Sequence, residues 1–340
     1  METLLKKITA IIAASLLLAV SATAKDQPSL RLVQTIPLSD VNGRLDHMAI
    51  DIRGQRLFLA ALEQNTLEVI DLKAGKSAQS ISGFNKPQGV YYAAILKKLF
   101  IASAYDGTCK IFDGDPLTLQ ATVKLSLGAD KLGYDPRSKV IFVGHGGTEA
   151  GKDYGELAVI DATTGLTLSN VRTDARAGSS MVDGTGERVF VLVPEMSKVV
   201  VLDRKTHAVL QIWPIADVQK TVEMDLDETG HRLFVGSRTP ARISVLDTTS
   251  GKVVATLPTV ETLDGVFFDA DTRRIYVPGG EGFIDIFQQM DADHYAPIAR
   301  IATGPGARTG LFVPAQKRLY IAVPRDRGRS AEIRVFTTER

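Results

Sequence analysis

The apolar residues of this chain recur as a short block, each centred on an aromatic ring and entered from a basic residue. The block reads RLFLA at Phe58, KLFIA at Phe100, IFVG at Phe142 and RVFVL at Phe190, then RLFVG at Phe234, RIYVP at Tyr276 and RLYIA at Tyr320. Successive aromatics lie 42, 42, 48, 44, 42 and 44 residues apart. The segments are rich in Val, Ile and aromatics and alternate with a period of two, which predicts strands and excludes a helical solenoid. The first copy predicts strand a over 48–51, strand b over 56–60, strand c over 66–70 and strand d near 77–81. Seven four-stranded units at this period predict an all-β fold, a seven-bladed β-propeller.

A ring of blades must close. The last copy supplies strands a, b and c, ending in 333–336, and leaves four residues, too few for a fourth strand and its turn. At the other end, 30–37 (LRLVQTIP) precedes the first strand a and reads as a strand d. Completing blade seven with it joins the termini and removes an unpaired edge. This uses nearly every residue after the first 24, so one propeller domain is expected over 25–340.

Each strand c runs into a tight turn. Asp71-Leu72-Lys73-Ala74-Gly75 recurs as Asp161-Ala162-Thr163-Thr164-Gly165 and Asp247-Thr248-Thr249-Ser250-Gly251. A carboxylate that accepts turn N–H groups, with glycine at a positive φ, explains both ends of the motif. These aspartates are therefore assigned to turns, not to catalysis.

The N-terminus changes the picture of where the domain works. Lys6 and Lys7 precede an apolar run at 8–20, too short to span a bilayer, and Ala22-Thr23-Ala24 ends in a small-x-small cleavage pattern. A signal peptide over 1–24 is expected, with a mature chain from Lys25, periplasmic or secreted, and no membrane span after cleavage. The chain carries 40 Lys and Arg against 39 Asp and Glu. Losing Lys6, Lys7 and Glu2 balances the charges, so there is no strong pull toward nucleic acid. Cys109 is the only cysteine, so stability must come from burial and not from an intrachain disulfide.

With these cores and the hairpin Asn65-Thr66-Leu67-Glu68-Val69-Ile70-Asp71, the chain resembles the YVTN-repeat propellers of the exported, YncE-like branch. The segments Asp46-His47-Met48-Ala49-Ile50-Asp51, Gly280-Glu281-Gly282-Phe283-Ile284-Asp285 and Pro305-Gly306-Ala307-Arg308-Thr309 add to the likeness, which covers about residues 28–337. It implies the propeller fold and no shared chemistry. The namesake Tyr-Val-Thr-Asn tetrapeptide is intact in no blade, and the Asn that follows the family's strand b is missing.

Propeller topology sorts d–a and b–c loops onto one face and a–b and c–d turns onto the other. Three stretches are extended: 144–155 in blade three, 324–331 in blade seven and 214–221 before blade five. All belong to the d–a/b–c face, and variable loops on a rigid scaffold are where recognition usually sits. Residues 12 and 11 before each aromatic should ring the channel mouth there. They include Asp46, His47, Gln88, Asp130, Lys131, Glu223, Asp264 and Arg308. His145, beside Gly146-Gly147, is added to this candidate ligand site. His207, His231 and His294 fall in turns and are assigned to the surface.

No Cys-x-x-Cys-His, Gly-x-Ser-x-Gly or phosphate-binding Gly-Lys-Ser/Thr is present, so no covalent haem, elbow serine or nucleotide loop is expected. No catalytic residue and no cofactor is assigned. The leading expectation is a monomeric, non-enzymatic binding protein whose mouth takes a small molecule or a periplasmic protein. The alternative is a metal-dependent, lactonase-like hydrolase. In that reading Asp46, Asp130, Glu223 and Asp264 would hold a divalent cation and His47 would serve as base.

Overall fold

The computed structural model describes residues 30–338 apart from 185; the expected signal segment 1–24 lies outside them. Seven antiparallel sheets of four strands follow one another along the chain. Blade one comprises Met48–Asp51, Arg56–Ala61, Thr66–Asp71 and Lys76–Ile81, each strand hydrogen-bonded to the next. Blade seven comprises Gly310–Val313, Arg318–Val323 and Ala331–Thr338, and its outer strand is Leu30–Leu38 from the other end of the chain. The closing pair runs from Leu30 opposite Thr338 to Leu38 opposite Ala331, with a bulge between Leu32 and Gln34.

The apolar cores lie between blades. Along Arg56–Ala61, Leu57, Leu59 and Ala61 pack with Tyr320, Ala322, Ile333 and Val335 of blade seven. Phe58 and Ala60 point the other way, toward Val90, Leu99 and Ile101 of blade two. Strand b is therefore buried on both faces, so its sequence is a continuous apolar run, which corrects the period-two alternation expected for these segments. The repeated aromatic fills each seam: Phe58, Phe100, Phe142, Phe190, Phe234 and Tyr276 are fully buried. Strand d is the outer edge, and in blade one its residues Lys76–Ile81 are almost wholly exposed.

Strand ends extend one or two residues beyond the sequence expectation. The larger differences lie on the loop-rich face. In blade three, strand b is Val140–Gly146, because His145 and Gly146 pair with Glu156 and Gly155 of the next strand. The extension shortens to a 3-10 turn at Gly147–Ala150 and a short return. Before blade five, strand a begins early, at Gln219, pairing with Thr239 across a bulge. Much of the stretch expected as loop is thus ladder.

The c–d turns have the expected chemistry. Asp71 Oδ1 accepts the Ala74 N–H at 2.8 Å, Asp161 Oδ1 accepts those of Thr163 and Thr164, and Asp247 Oδ1 that of Ser250. Gly75, Gly165 and Gly251 have φ of +65°, +77° and +71°. In blade four His207 takes the glycine position at φ 59°, and its half-buried ring meets the edge of Phe142; His231 and His294 are exposed. At Gly251 a Cβ would also lie 2.3 Å from the Trp213 indole. Gly251→Ala is expected to cost more than about 1 kcal/mol, from the unfavourable φ and the displaced indole together. Chemical denaturation checks this, and an unchanged midpoint would refute it.

Candidate functional site at the channel mouth

A cavity of about 450 Å3 opens where the channel meets the d–a/b–c face. The first residues of the inner strands and the loops before them build it. Gln88, Asp130, Lys131 and Asp264 line it, together with Arg44, Lys86, Arg176 and Arg238. A second space of about 250 Å3 continues down the axis, bounded by inner-strand residues from all seven blades, His47, Lys131 and Glu223 among them.

The residues singled out from sequence fall into linked charge groups. Lys131 Nζ donates to Glu223 Oε2 at 2.8 Å and also meets His47 Nε2. His47 Nε2 also lies 3.2 Å from Asp46 Oδ1. Burial alone would discharge Lys131, but Glu223, Asp264 and Asp130 outweigh it and hold its pKa above the ordinary lysine value. Asp130 accepts from Arg176 Nη1 at 2.6 Å. Burial works against its charge, yet Arg176 and Lys131 prevail and keep its pKa below the usual carboxylate range. Asp46 is fully buried, and there burial wins over His47 and Arg44, raising its pKa.

Asp264 is the most crowded of these groups. Its Oδ2 lies 3.0 Å from Arg238 Nη2, 3.4 Å from Arg308 Nε and 3.5 Å from Arg44 Nη2. Burial opposes its ionisation, but Lys131, Arg238, His47 and Arg308 override this and hold its pKa at about 2. Arg44 also reaches Asp46 Oδ2 at 2.9 Å.

His145 stands apart from the other eight. It sits in the ladder of blade three, 3 % exposed, with Nδ1 accepting the Ser126 N–H at 3.2 Å. Like Asp46 and Arg308, it is absent from the lining of both spaces, and unlike them it makes no ion pair with the other mouth residues. Burial lowers its pKa below the ordinary histidine value, against the pull of Glu156. The glycines beside it serve close packing: a Cβ on Gly144 would lie 1.8 Å from the Ala177 carbonyl oxygen.

Of the three extended stretches, blade three sends Glu149 to the mouth, 3.8 Å from Arg176. The stretch before blade five supplies Thr221. The blade-seven loop is tied down elsewhere, through a bridge between Asp326 and Arg329 and an Arg325 bond to the Ser39 carbonyl.

Sequence reasoning did not single out Arg44, Lys86, Arg176 and Arg238. Three of these stand fourteen residues before a core aromatic, two positions ahead of the ring that was aligned. Reading one more register would have found Arg44, Lys86 and Arg176 together. Asp225 was also missed. It lines the axial space, accepts the Phe268 N–H at 2.7 Å, and burial pushes its pKa to about 7.

Among the described residues, no group of three or more His, Cys, Asp or Glu is arranged to hold a metal ion. The carboxylates at the mouth face guanidinium or ammonium groups and do not converge on a common point.

The fold and the mouth define a seven-bladed β-propeller with a charged cavity at one end of its axis. No protein-family model matches the chain, and comparison with curated proteins found no match. Among solved structures, the chain is similar to a chain of hydrazine synthase from Kuenenia stuttgartiensis, with a TM-score of 0.73 and 16 % identity. The likeness covers 84 % of this chain and 93 % of that one, and at this identity it concerns the fold.

Proposed function

We propose that this is an exported binding protein of the YVTN-repeat type, which uses the channel mouth to take up a small molecule or a terminal group of a partner protein. The observation that carries this reading is the coincidence of a polar concavity on the d–a/b–c face with ten charged or amide side chains delivered from six different blades. Convergence of that kind on a rigid scaffold is the ordinary form of a ligand site. Export rests on the N-terminal 24 residues, and the family on the repeated cores quoted above. Binding is preferred over metal-dependent hydrolysis because Asp130, Glu223 and Asp264 are each engaged by a basic side chain. A carboxylate held in that way is a poor ligand for a divalent cation.

The test is a small-molecule library screened by thermal shift against the mature protein, with two variants. Gln88→Trp fills the mouth without altering charge, whereas Lys73→Glu changes an exposed turn on the opposite face. Hits are expected to stabilise wild type and Lys73→Glu alike, by an increment that grows with ligand concentration, and to leave Gln88→Trp unmoved. Hits retained by Gln88→Trp and lost in Lys73→Glu would place recognition on the other face and refute the proposal.

A further inference from the structure

The charges at the mouth are unevenly shared. Lys131 is matched to Glu223, and Arg176 to Asp130 with Glu149 behind it. The remaining sector places three guanidinium groups, from Arg44, Arg238 and Arg308, around one oxygen of Asp264. Its second carboxylate, Asp46, is shared with His47 and is pushed by burial toward its neutral form.

Two consequences of that crowding are visible. Arg308 sits in a partly buried place where burial, and then repulsion from Arg44 and Arg238, lower its pKa below the usual arginine value despite Asp264. In addition, Arg44 Nε is buried and has no hydrogen-bond partner among the described residues, as is true of Asp46 Oδ1 and Oδ2 and Asp264 Oδ2 beside it, whereas Arg176 Nε faces Glu149 at 3.8 Å. Buried donors are ordinarily satisfied, and leaving one unpaired carries a cost of about 1–3 kcal/mol. Three guanidinium groups gathered on one carboxylate oxygen at a concave mouth describe half of a binding site whose other half is an oxyanion.

Resting on the mouth reading above, we propose that the ligand is a small oxyanion, carrying a carboxylate or a phosphate, clamped by Arg44, Arg238 and Arg308 over Asp264. Guanidinium forks match both groups through paired N–H···O bonds. Asp264 does not compete for the role, because it lies beneath the arginines and holds them in place. Its own charge offsets one of three, and Asp46 partly offsets Arg44. The incoming group supplies the balance, which gives selectivity for anions over neutral analogues of the same shape. The concavity accommodates a molecule of a few carbon atoms, and Lys86 and Tyr105 at the rim, with the ammonium 6.0 Å from the ring centroid, remain for the rest of it.

Inorganic phosphate and succinate are the probes, with sodium chloride at matched ionic strength as control, read by thermal shift and calorimetry on the mature protein. Arg308→Gln relieves repulsion, so without anion it is expected to melt at or above the wild-type temperature, which separates loss of binding from loss of fold. At least one probe should stabilise wild type more than chloride does and bind Arg308→Gln and Arg238→Gln at least tenfold more weakly. A phosphate-only response would assign a phosphate ligand, and a succinate-only response a carboxylate. Equal shifts from chloride, or equal affinity in wild type and Arg308→Gln, would overturn the clamp. If neutral or cationic library compounds bound and were blocked by Gln88→Trp while neither anion bound, the oxyanion assignment would fall and the mouth reading would stand. Anion binding indifferent to both Gln88→Trp and Arg308→Gln would overturn both.

Discussion

A chain that begins at Ser39 is expected to lose the cooperative melting transition of the whole ring, although only one outer strand is gone. Leu30–Leu38 buries Leu30 at the seam of blades six and seven and Ile36 and Leu38 at the seam of blades seven and one. At about 1.5–3 kcal/mol for each large side chain fully buried, the direct loss is about 4.5–9 kcal/mol, a large fraction of a typical domain's net stability of about 5–15 kcal/mol. The edge of Ala331–Thr338 is then left without a partner, and such edges recruit other chains. Size-exclusion chromatography and calorimetry should find aggregate or a broad, low-temperature transition. A monomer with the parent melting temperature would contradict the closure. Adding the missing strand as a separate peptide is expected to restore part of the stability.

Arg204→Met is expected to destabilise by about 3–5 kcal/mol, the usual consequence of stranding one member of a buried ion pair. Asp135 in blade three and Arg204 in blade four are 0 % and 5 % exposed and make a two-pronged contact, with Arg204 Nε donating to Asp135 Oδ2 at 2.8 Å. Arg204 also holds the carbonyls of Asp183 and Gly186. Burial would raise the pKa of Asp135, but Arg204, the Ser138 hydroxyl and the Arg137 amide outweigh it and bring the carboxyl well below its ordinary range. A lowered folded-state pKa stabilises above the unfolded value of about 3.9 and is lost as pH falls through the folded one. Wild type should therefore lose stability below about pH 4, and Arg204→Met should lose less over the same interval. Denaturation at pH 7 and at pH 3 measures both effects. The double variant Asp135→Leu with Arg204→Met, which removes both charges, is expected to recover most of the loss. A single variant as stable as wild type would show that the pair contributes nothing.

The fold was legible because the physics that builds a blade is written in every copy. A strand buried on both faces needs an unbroken apolar run, so RLFLA-type blocks mark all seven strands b, and an aspartate four residues before glycine marks the turn that follows strand c. Loop-face detail was less legible. Nothing in His145-Gly146 says that the ladder continues through it, because that depends on Glu156 and Gly155 arriving opposite. The mouth was read in part. Aligning two positions per repeat found Asp264 and Lys131, but a charge is only half of a contact. Arg238 enters from the end of strand b, after its aromatic, so no alignment of residues preceding the aromatics could have paired it with Asp264 in the next blade.

The join between Leu30 and Thr338 has a consequence for the order of events during folding. Every other strand finds its neighbour within a few dozen residues, but the first strand to leave the ribosome must wait for the last. Bringing chain ends together over such a span carries a loop-closure entropy that local pairings avoid. Blades one to six can assemble progressively by docking onto their predecessors, while the ring stays an open arc with two raw seams. The return of the N-terminal segment is then the pairing with the largest loop-closure cost, and until it occurs the arc keeps an unpartnered strand edge. Because Leu30 lies directly opposite Thr338, a short turn joining the two, with a new start near residue 40, would convert that distant meeting into an ordinary hairpin. The native chain order thus gains a single latch that holds both ends, and the interval before it closes is the period in which the protein is most exposed.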